Sequence, residues 1–232
     1  MTERVLVVAA HPDDEAIGAG GSMALHAARG DQVDVVFMAD GVTSRGEQQA
    51  SDLIRQRNHA AYAACKALGA REPHFLGFPD NRMDTVALLD IVKPLEALIE
   101  ELQATTIYTH HYGDLNLDHR LTHQAVMTAC RPQQGMPVRT ILCFEVLSST
   151  EWQTPGSGNG FEPNWFVDIS AGMEKKRQAL ACYAEEMRAP PHSRSLASIA
   201  SLAQLRGAQV HSSQAEAFML ARHIVQPPSH TE

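Results

Sequence analysis

A chain of 232 residues, 44% hydrophobic and 20% charged, carries enough apolar side chain to build a core without covalent staples. Its net charge of −8 argues against a nucleic-acid backbone or an anionic membrane as the main partner. The cysteines Cys65, Cys130, Cys143 and Cys182 form no C-x-x-C pair, so reduced thiols are expected, with no signal-like or membrane-spanning apolar run, in a cytoplasmic protein.

Val5 to Ala10 has the length and β-branched content of a buried strand. It ends in His11-Pro12-Asp13-Asp14-Glu15. In an open α/β sheet, ligands bind in the crevice beyond the carboxyl ends of the strands. A histidine and a carboxylate at that rim suit zinc or a similar divalent ion. A second carboxylate beside them can take the proton of an activated water. Asp13, Asp14 and Glu15 also fit the positive end of the following helix, but His11 has no place in that capping account.

Ala16 to Arg29 reads as a helix closed by Gly30. Gly18, Gly20 and Gly21 are read as allowing close helix–sheet packing rather than as a dinucleotide cradle. Val33 to Ala39 is the second strand, followed by the Asp40-Gly41 turn, and Gln48 to Leu68 is a long helix ending at Gly69. Phe75 to Gly77 is a short strand leading into the polar loop Phe78 to Arg82. Val86 to Leu102 is helical, Thr105 to Thr109 is the fourth strand, His110 to Asp118 is a loop, and Leu121 to Cys130 is helical. Val138 to Phe144 is a further strand. Residues 148–164, rich in Ser, Thr, Gly and Pro, read as a functional loop or lid. Trp165 to Ile169 is a short strand, and Gly172 to Met187 and Ser195 to Leu205 are helices, separated by Arg188 to Arg194. Residues 226–232 are expected to fray. The alternation predicts a Rossmann-like α/β fold: a mostly parallel sheet with helices on both faces, residues 1–232 forming one domain with a helical C-terminal part.

The first and fourth strands are expected to run parallel, so their carboxyl ends share a side. A histidine from the second loop can then meet His11 and Asp14 and leave a position for water. On this ground His110, His111, His119 and His123 all remain eligible.

Ala-His-Pro-Asp-Asp-Glu at 10–15, with Asp118-His119 after the fourth strand, resembles the PIG-L/LmbE family of zinc-dependent N-acetyl-sugar deacetylases. Asp40-Gly41, Leu68-Gly69, Phe75-Leu76-Gly77 and Ala215-Glu216-Ala217-Phe218 extend the resemblance. It implies that His11, Asp14 and His119 hold Zn2+, or another divalent ion suited to the same donors, that Asp13 is the general base, and that Arg57 binds substrate. The implied reaction removes the N-acetyl group from an amino sugar or sugar conjugate, giving acetate and a free amine. Gly-Asp-Leu-Asn-x-Asp-His-Arg resembles a branch associated with surface-polysaccharide or sugar-nucleotide metabolism.

Two positions depart from the family pattern. Asn116 stands where many relatives have a histidine that helps stabilise the transition state. An asparagine can donate a hydrogen bond but cannot deliver a proton, so the acid role falls on Asp13 or on a group such as His110. Ala60 stands where a glutamate often follows the arginine. Asp80, Asn81, Arg82, His110 and Trp152 are further candidates for contact with the small-molecule substrate, Arg82 toward a phosphate or toward Asp80 or Asp84. Asp118 is expected either to hold a loop partner in place or to cap the helix near His119. A homo-oligomer is a modest expectation from the aromatic loop at 148–166. The rival readings are a non-catalytic metal- or sugar-binding module, disfavoured by the intact Asp13, and a metal hydrolase of another amide or ester.

Overall fold

Strand β1 (Arg4–Ala9) sets the frame because its side chains alternate between two apolar layers. Val5, Val7 and Ala9 point into one buried cluster, Leu6 and Val8 into another. A strand covered on both faces has no polar side to show, which explains its unbroken apolar run. The computed structural model describes residues 2–42 and 50–225. Its elements continue with α1 (Asp14–Ala28), β2 (Gln32–Ala39), α2 (Ala50–Leu68), β3 (His74–Phe78), α3 (Leu88–Leu102) and β4 (Thr106–His110). They close with α4 (Leu117–Ala129), β5 (Thr140–Phe144), β6 (Trp165–Asp168), α5 (Met173–Cys182), α6 (Leu196–Ala208) and β7 (Ala215–His223).

The seven strands form one sheet in the order β3-β2-β1-β4-β5-β7-β6. β1 to β5 pair in parallel, and β7 pairs antiparallel with both β5 and β6. The order reverses between β1 and β4, which places the topological switch point where His11 and His110 leave the sheet. Residues of α1, α2 and α5 join one apolar cluster, and residues of α3 and α4 join the other. The expected mostly parallel sheet with helices on both faces is therefore the architecture observed.

Several boundaries differ from the sequence reading. β7 has no predicted counterpart: its Ala-Glu-Ala opening lacks the β-branched signature, and it is held inside the sheet between β5 and β6. Helix α4 starts at Leu117 rather than Leu121, because Asn116 caps it. Helix α5 stops at Cys182, after which turns carry the chain to Met187. The expected start of α2 at Gln48 and the frayed end at 226–232 lie outside the described residues.

Two contacts lock α1 onto the sheet. A Cβ on Gly18 would lie 2.4 Å from Phe144 Cδ2, so only glycine fits there. On the same helix, the buried Glu216 carboxylate accepts from Gly21 N (2.8 Å), Ser22 N (2.8 Å) and Ser22 Oγ (2.7 Å). Lys176 of α5 completes the cluster, donating to Glu216 Oε1 (2.6 Å) and Ile17 O (2.7 Å).

Candidate metal centre and active site

His11 leaves β1 where the sheet ends, and its backbone N–H donates to Asp14 Oδ2 (2.9 Å). Its ring Nδ1 lies 3.4 Å from that same oxygen, and His119 Nε2 lies 3.3 Å from it. Three donors around a tetrahedral ion at about 2.0–2.1 Å are separated by about 3.3 Å. Asp14 Oδ1 is buried and has no hydrogen-bond partner among the described residues. One carboxylate oxygen facing two imidazole nitrogens, with the second buried and without a partner among the described residues, is a donor set that fits a divalent cation.

The imidazoles are held from behind. His11 Nε2 lies 3.1 Å from Asp118 Oδ2 and 3.1 Å from Asp80 Oδ1. Burial opposes a charge on His11, but Asp118, Asp14 and Asp80 outweigh it and hold its pKa well above the ordinary value. Burial also opposes a charge on His119, yet Asp14 and Asp114 push it up to about 9. Asp14 is driven well below the usual carboxylate range, against its burial, by His119 and His11. The pocket thus favours positive charge between these three side chains.

Asp13 sits at the start of α1 with φ 123° and ψ −28°, a backbone conformation that a non-glycine residue rarely adopts. Neighbours fix it there. Glu15 Oε2 accepts its N–H at 3.0 Å, and its carbonyl accepts from Ala16 N (3.1 Å) and Ile17 N (3.0 Å). Its carboxylate Oδ2 faces Arg194 Nη1 (3.1 Å) and Arg57 Nη2 (3.3 Å). Glu15 is anchored in turn by Tyr183 Oη at 2.7 Å, and burial pushes its carboxyl up to about 8.

The other expected site residues fall in different places. Arg57 is buried and pairs with Glu186 as well as Asp13, and it borders a hollow lined by Val42, Leu53, Gln56, Ala60 and Tyr183. Asp118 holds a loop partner as expected: its carboxylate accepts from Asn81 N (2.6 Å) and Met83 N (3.2 Å). The helix cap is Asn116 instead, whose Oδ1 accepts from Asp118 N (2.8 Å) and His119 N (3.4 Å) while its Nδ2 donates to Asn81 Oδ1 (3.1 Å). Asp80 turns inward against His11 and is 2% exposed, so it backs the imidazole rather than lining open space.

His110 is fully buried, stacked on His119 with centroids 4.0 Å apart, and offers no surface to a substrate. Its Nε2 accepts the Ala10 N–H at 2.8 Å. Burial, and then the charge of His119, holds its pKa well below the ordinary value, which removes it as a proton donor at neutral pH. Arg82 is exposed on its loop, and Trp152, 52% exposed, sets its ring against His192 at 5.8 Å. The 148–164 segment lies against the loop after β4: His111 Nε2 meets Asn159 O (2.8 Å) and Gln153 Nε2 donates to Gly113 O (2.6 Å). Asp114, Tyr183 and Glu186 carry no signal in the sequence that marks them for the site, and Glu15 was expected only at the positive end of the helix. Arg194 stands in the sequence only as the end of the connection Arg188 to Arg194.

A family model described as GlcNAc-PI de-N-acetylase, PIG-L, matches residues 6–130. The chain belongs to this family. Among PIG-L relatives, an uncharacterised deacetylase of Escherichia coli strain K12, YaiS, is 33% identical over 170 residues, 71% of this chain and 81% of its own. A probable N-acetyl-alpha-D-glucosaminyl L-malate deacetylase 2 of Bacillus cereus is 29% identical over 200 residues, 82% of this chain and 86% of its own. Among solved structures, the 4-carboxy-2-hydroxymuconate hydratase GalB of Pseudomonas putida KT2440 superposes with a TM-score of 0.78 at 24% identity, covering 98% of this chain and 99% of its own. That likeness concerns the fold alone, and it shows that the PIG-L scaffold does not by itself specify amide hydrolysis.

Proposed function

We propose that the protein is a metal-dependent hydrolase, with zinc the first candidate ion, that removes the N-acetyl group from an N-acetylated amino sugar or sugar conjugate. The observation that carries this reading is the pairing of Asp13 with the His11–Asp14–His119 set. Asp13 Oδ1 is buried and without a hydrogen-bond partner among the described residues, beside a cluster that fits a cation. A site that only binds has no need of such a carboxylate. The deacetylase relatives support the bond and the substrate class.

His11 Nδ1, Asp14 Oδ2 and His119 Nε2 would hold the ion. When bound, it supplies Lewis acidity, acidifying a water and polarising the acyl oxygen. Asp13 accepts the proton of the attacking water as its oxygen adds to the amide carbon. Arg57 and Arg194 pair with that carboxylate and keep it aimed. As the carbon–nitrogen bond breaks, Asp13 returns the proton to the departing amine, so acetate and a free amino sugar leave. Asn116, whose Nδ2 keeps one N–H beyond its bond to Asn81, is the neutral donor assigned to the developing oxyanion; one such donor is typically worth about 3–4 kcal/mol. The free cysteines fit a reducing compartment and a cytoplasmic reaction.

Acetate release from N-acetylhexosamines, their nucleotide-linked forms and their malate conjugates tests this, with metal-loaded protein and an Asp13→Ala control. Release that vanishes in the control is expected. Metal-loaded protein that releases no acetate from any of these, yet adds water to an unsaturated carboxylate such as 4-carboxy-2-hydroxymuconate, would replace the proposal with a hydratase.

A further inference from the structure

Asp114 is fully buried in the turn before α4. Its Oδ1 lies 3.2 Å from His119 Nδ1 and accepts from Asn116 N at 2.8 Å. Two hydroxyls from the foot of the 148–164 segment also converge on it: Ser149 Oγ donates to Oδ1, and Thr150 Oγ1 donates to Oδ2 at 2.6 Å. Thr150 Oγ1 is itself fixed, accepting from Val146 N at 2.8 Å.

An imidazole that binds a cation through one nitrogen carries its proton on the other, and the acceptor of that proton sets both tautomer and ring angle. Nδ1 of His119 faces Asp114, so Nε2 is the nitrogen left for Asp14 and the ion. We propose that Asp114 is the positioning residue for His119, and that Ser149 and Thr150 hold it in place, so that the foot of the lid-like segment is mechanically tied to the metal centre. The inference rests on His119 being a ligand. It adds a residue, and a connection to the 148–164 segment, that the ligand set alone does not contain.

The arrangement explains why the hydroxyls of Ser149 and Thr150 turn inward. It also explains how a carboxylate can be buried so deeply. Asn116 N, Ser149 Oγ and the His119 ring meet its Oδ1, and Thr150 Oγ1 meets its Oδ2, so neither oxygen is left without a partner. Outer partners of this kind typically change metal affinity by about 10–100-fold.

The test is the zinc affinity of the full chain, measured by competition with a chromophoric chelator, together with the visible spectrum of the cobalt-loaded protein. Asp114→Ala is expected to weaken zinc binding about 10–100-fold and to move the cobalt bands, with an unchanged far-ultraviolet circular dichroism spectrum. Asp114→Asn keeps an acceptor without its charge and loses less. Thr150→Val loses about fivefold. Loss of distant negative charge alone would weaken binding without moving the cobalt bands. If Asp114→Ala does not fold, the other two variants decide. Wild-type affinity and bands in every folded Asp114 and Thr150 variant, alongside His119→Ala that has lost zinc, overturns the proposal. His119→Ala that keeps zinc overturns the metal-site reading instead.

Discussion

The Lys176–Glu216 pair offers a stability test independent of catalysis. Both side chains are almost completely buried, 3% and 4% exposed, and their charged atoms are 2.6 Å apart. Glu216 also accepts the N–H groups of Gly21 and Ser22, while Lys176 caps the Ile17 carbonyl, so the pair joins α1, α5 and β7. Glu216→Gln preserves shape but leaves the ammonium buried without a counter-charge. Breaking such a pair from one side costs about 3–5 kcal/mol. For a chain of this length, each kcal/mol moves Tm by about 2–4 °C, so the expected drop is about 6–20 °C. Lys176→Met combined with Glu216→Gln removes both charges, and replacing a whole buried pair is often close to neutral. The double variant is therefore expected to recover most of the loss. Urea unfolding of wild type, both single variants and the double variant gives the coupling energy directly. A Glu216→Gln chain within about 1 kcal/mol of wild type, or a double variant no better than the single, would refute the reasoning.

Gly18→Ala gains about 1 kcal/mol of helix propensity but drives a methyl into Phe144, an overlap that typically costs about 1–3 kcal/mol, so a lower Tm by calorimetry is expected. Asp13→Ala should reduce turnover about 10²–10⁴-fold while the purified protein still carries its metal by elemental analysis. Chelator treatment should abolish acetate release, and added zinc should restore it to wild type but not to His119→Ala. Asn116→Ala removes the cap of α4 and should cost about 0.5–2 kcal/mol in urea unfolding, whereas Asn116→Ser, which keeps a capping oxygen, should cost less.

What could be read from the chain follows from how locally each feature is encoded. β1 and the motif at its end are contiguous, so both the strand and the cluster His11–Asp14 stand out. The alternation of strands and helices is also local, and it gives the parallel sheet. His119 needed two segments to be brought to one rim, which parallel strands supply by topology, but the choice among four histidines came from family resemblance and not from the residues. The pairings between distant segments were illegible. Tyr183 lies 168 positions from Glu15, and Arg194 lies 181 from Asp13. Nothing in their neighbourhoods marks them. β7 was hidden for a related reason: its Glu216 is acceptable inside a sheet because Lys176, Gly21 and Ser22 all meet it there. Asp118 stood between holding a loop partner and capping a helix, and the cap fell to Asn116, since a cap depends on where the helix begins.

The Ala10 N–H that donates to His110 Nε2 bears on the kind of centre the proposed ligands would make. His110 stands close enough to join the ligands, with Nε2 3.5 Å from Asp14 Oδ2. Had its lone pair been available, three imidazoles and a carboxylate could have closed around the ion, and a closed four-ligand zinc is a structural element with no vacancy for chemistry. A single main-chain amide occupies that lone pair. At the proposed site, the difference between a staple and an open coordination position would rest on one backbone hydrogen bond, at a residue whose own side chain is only a methyl group.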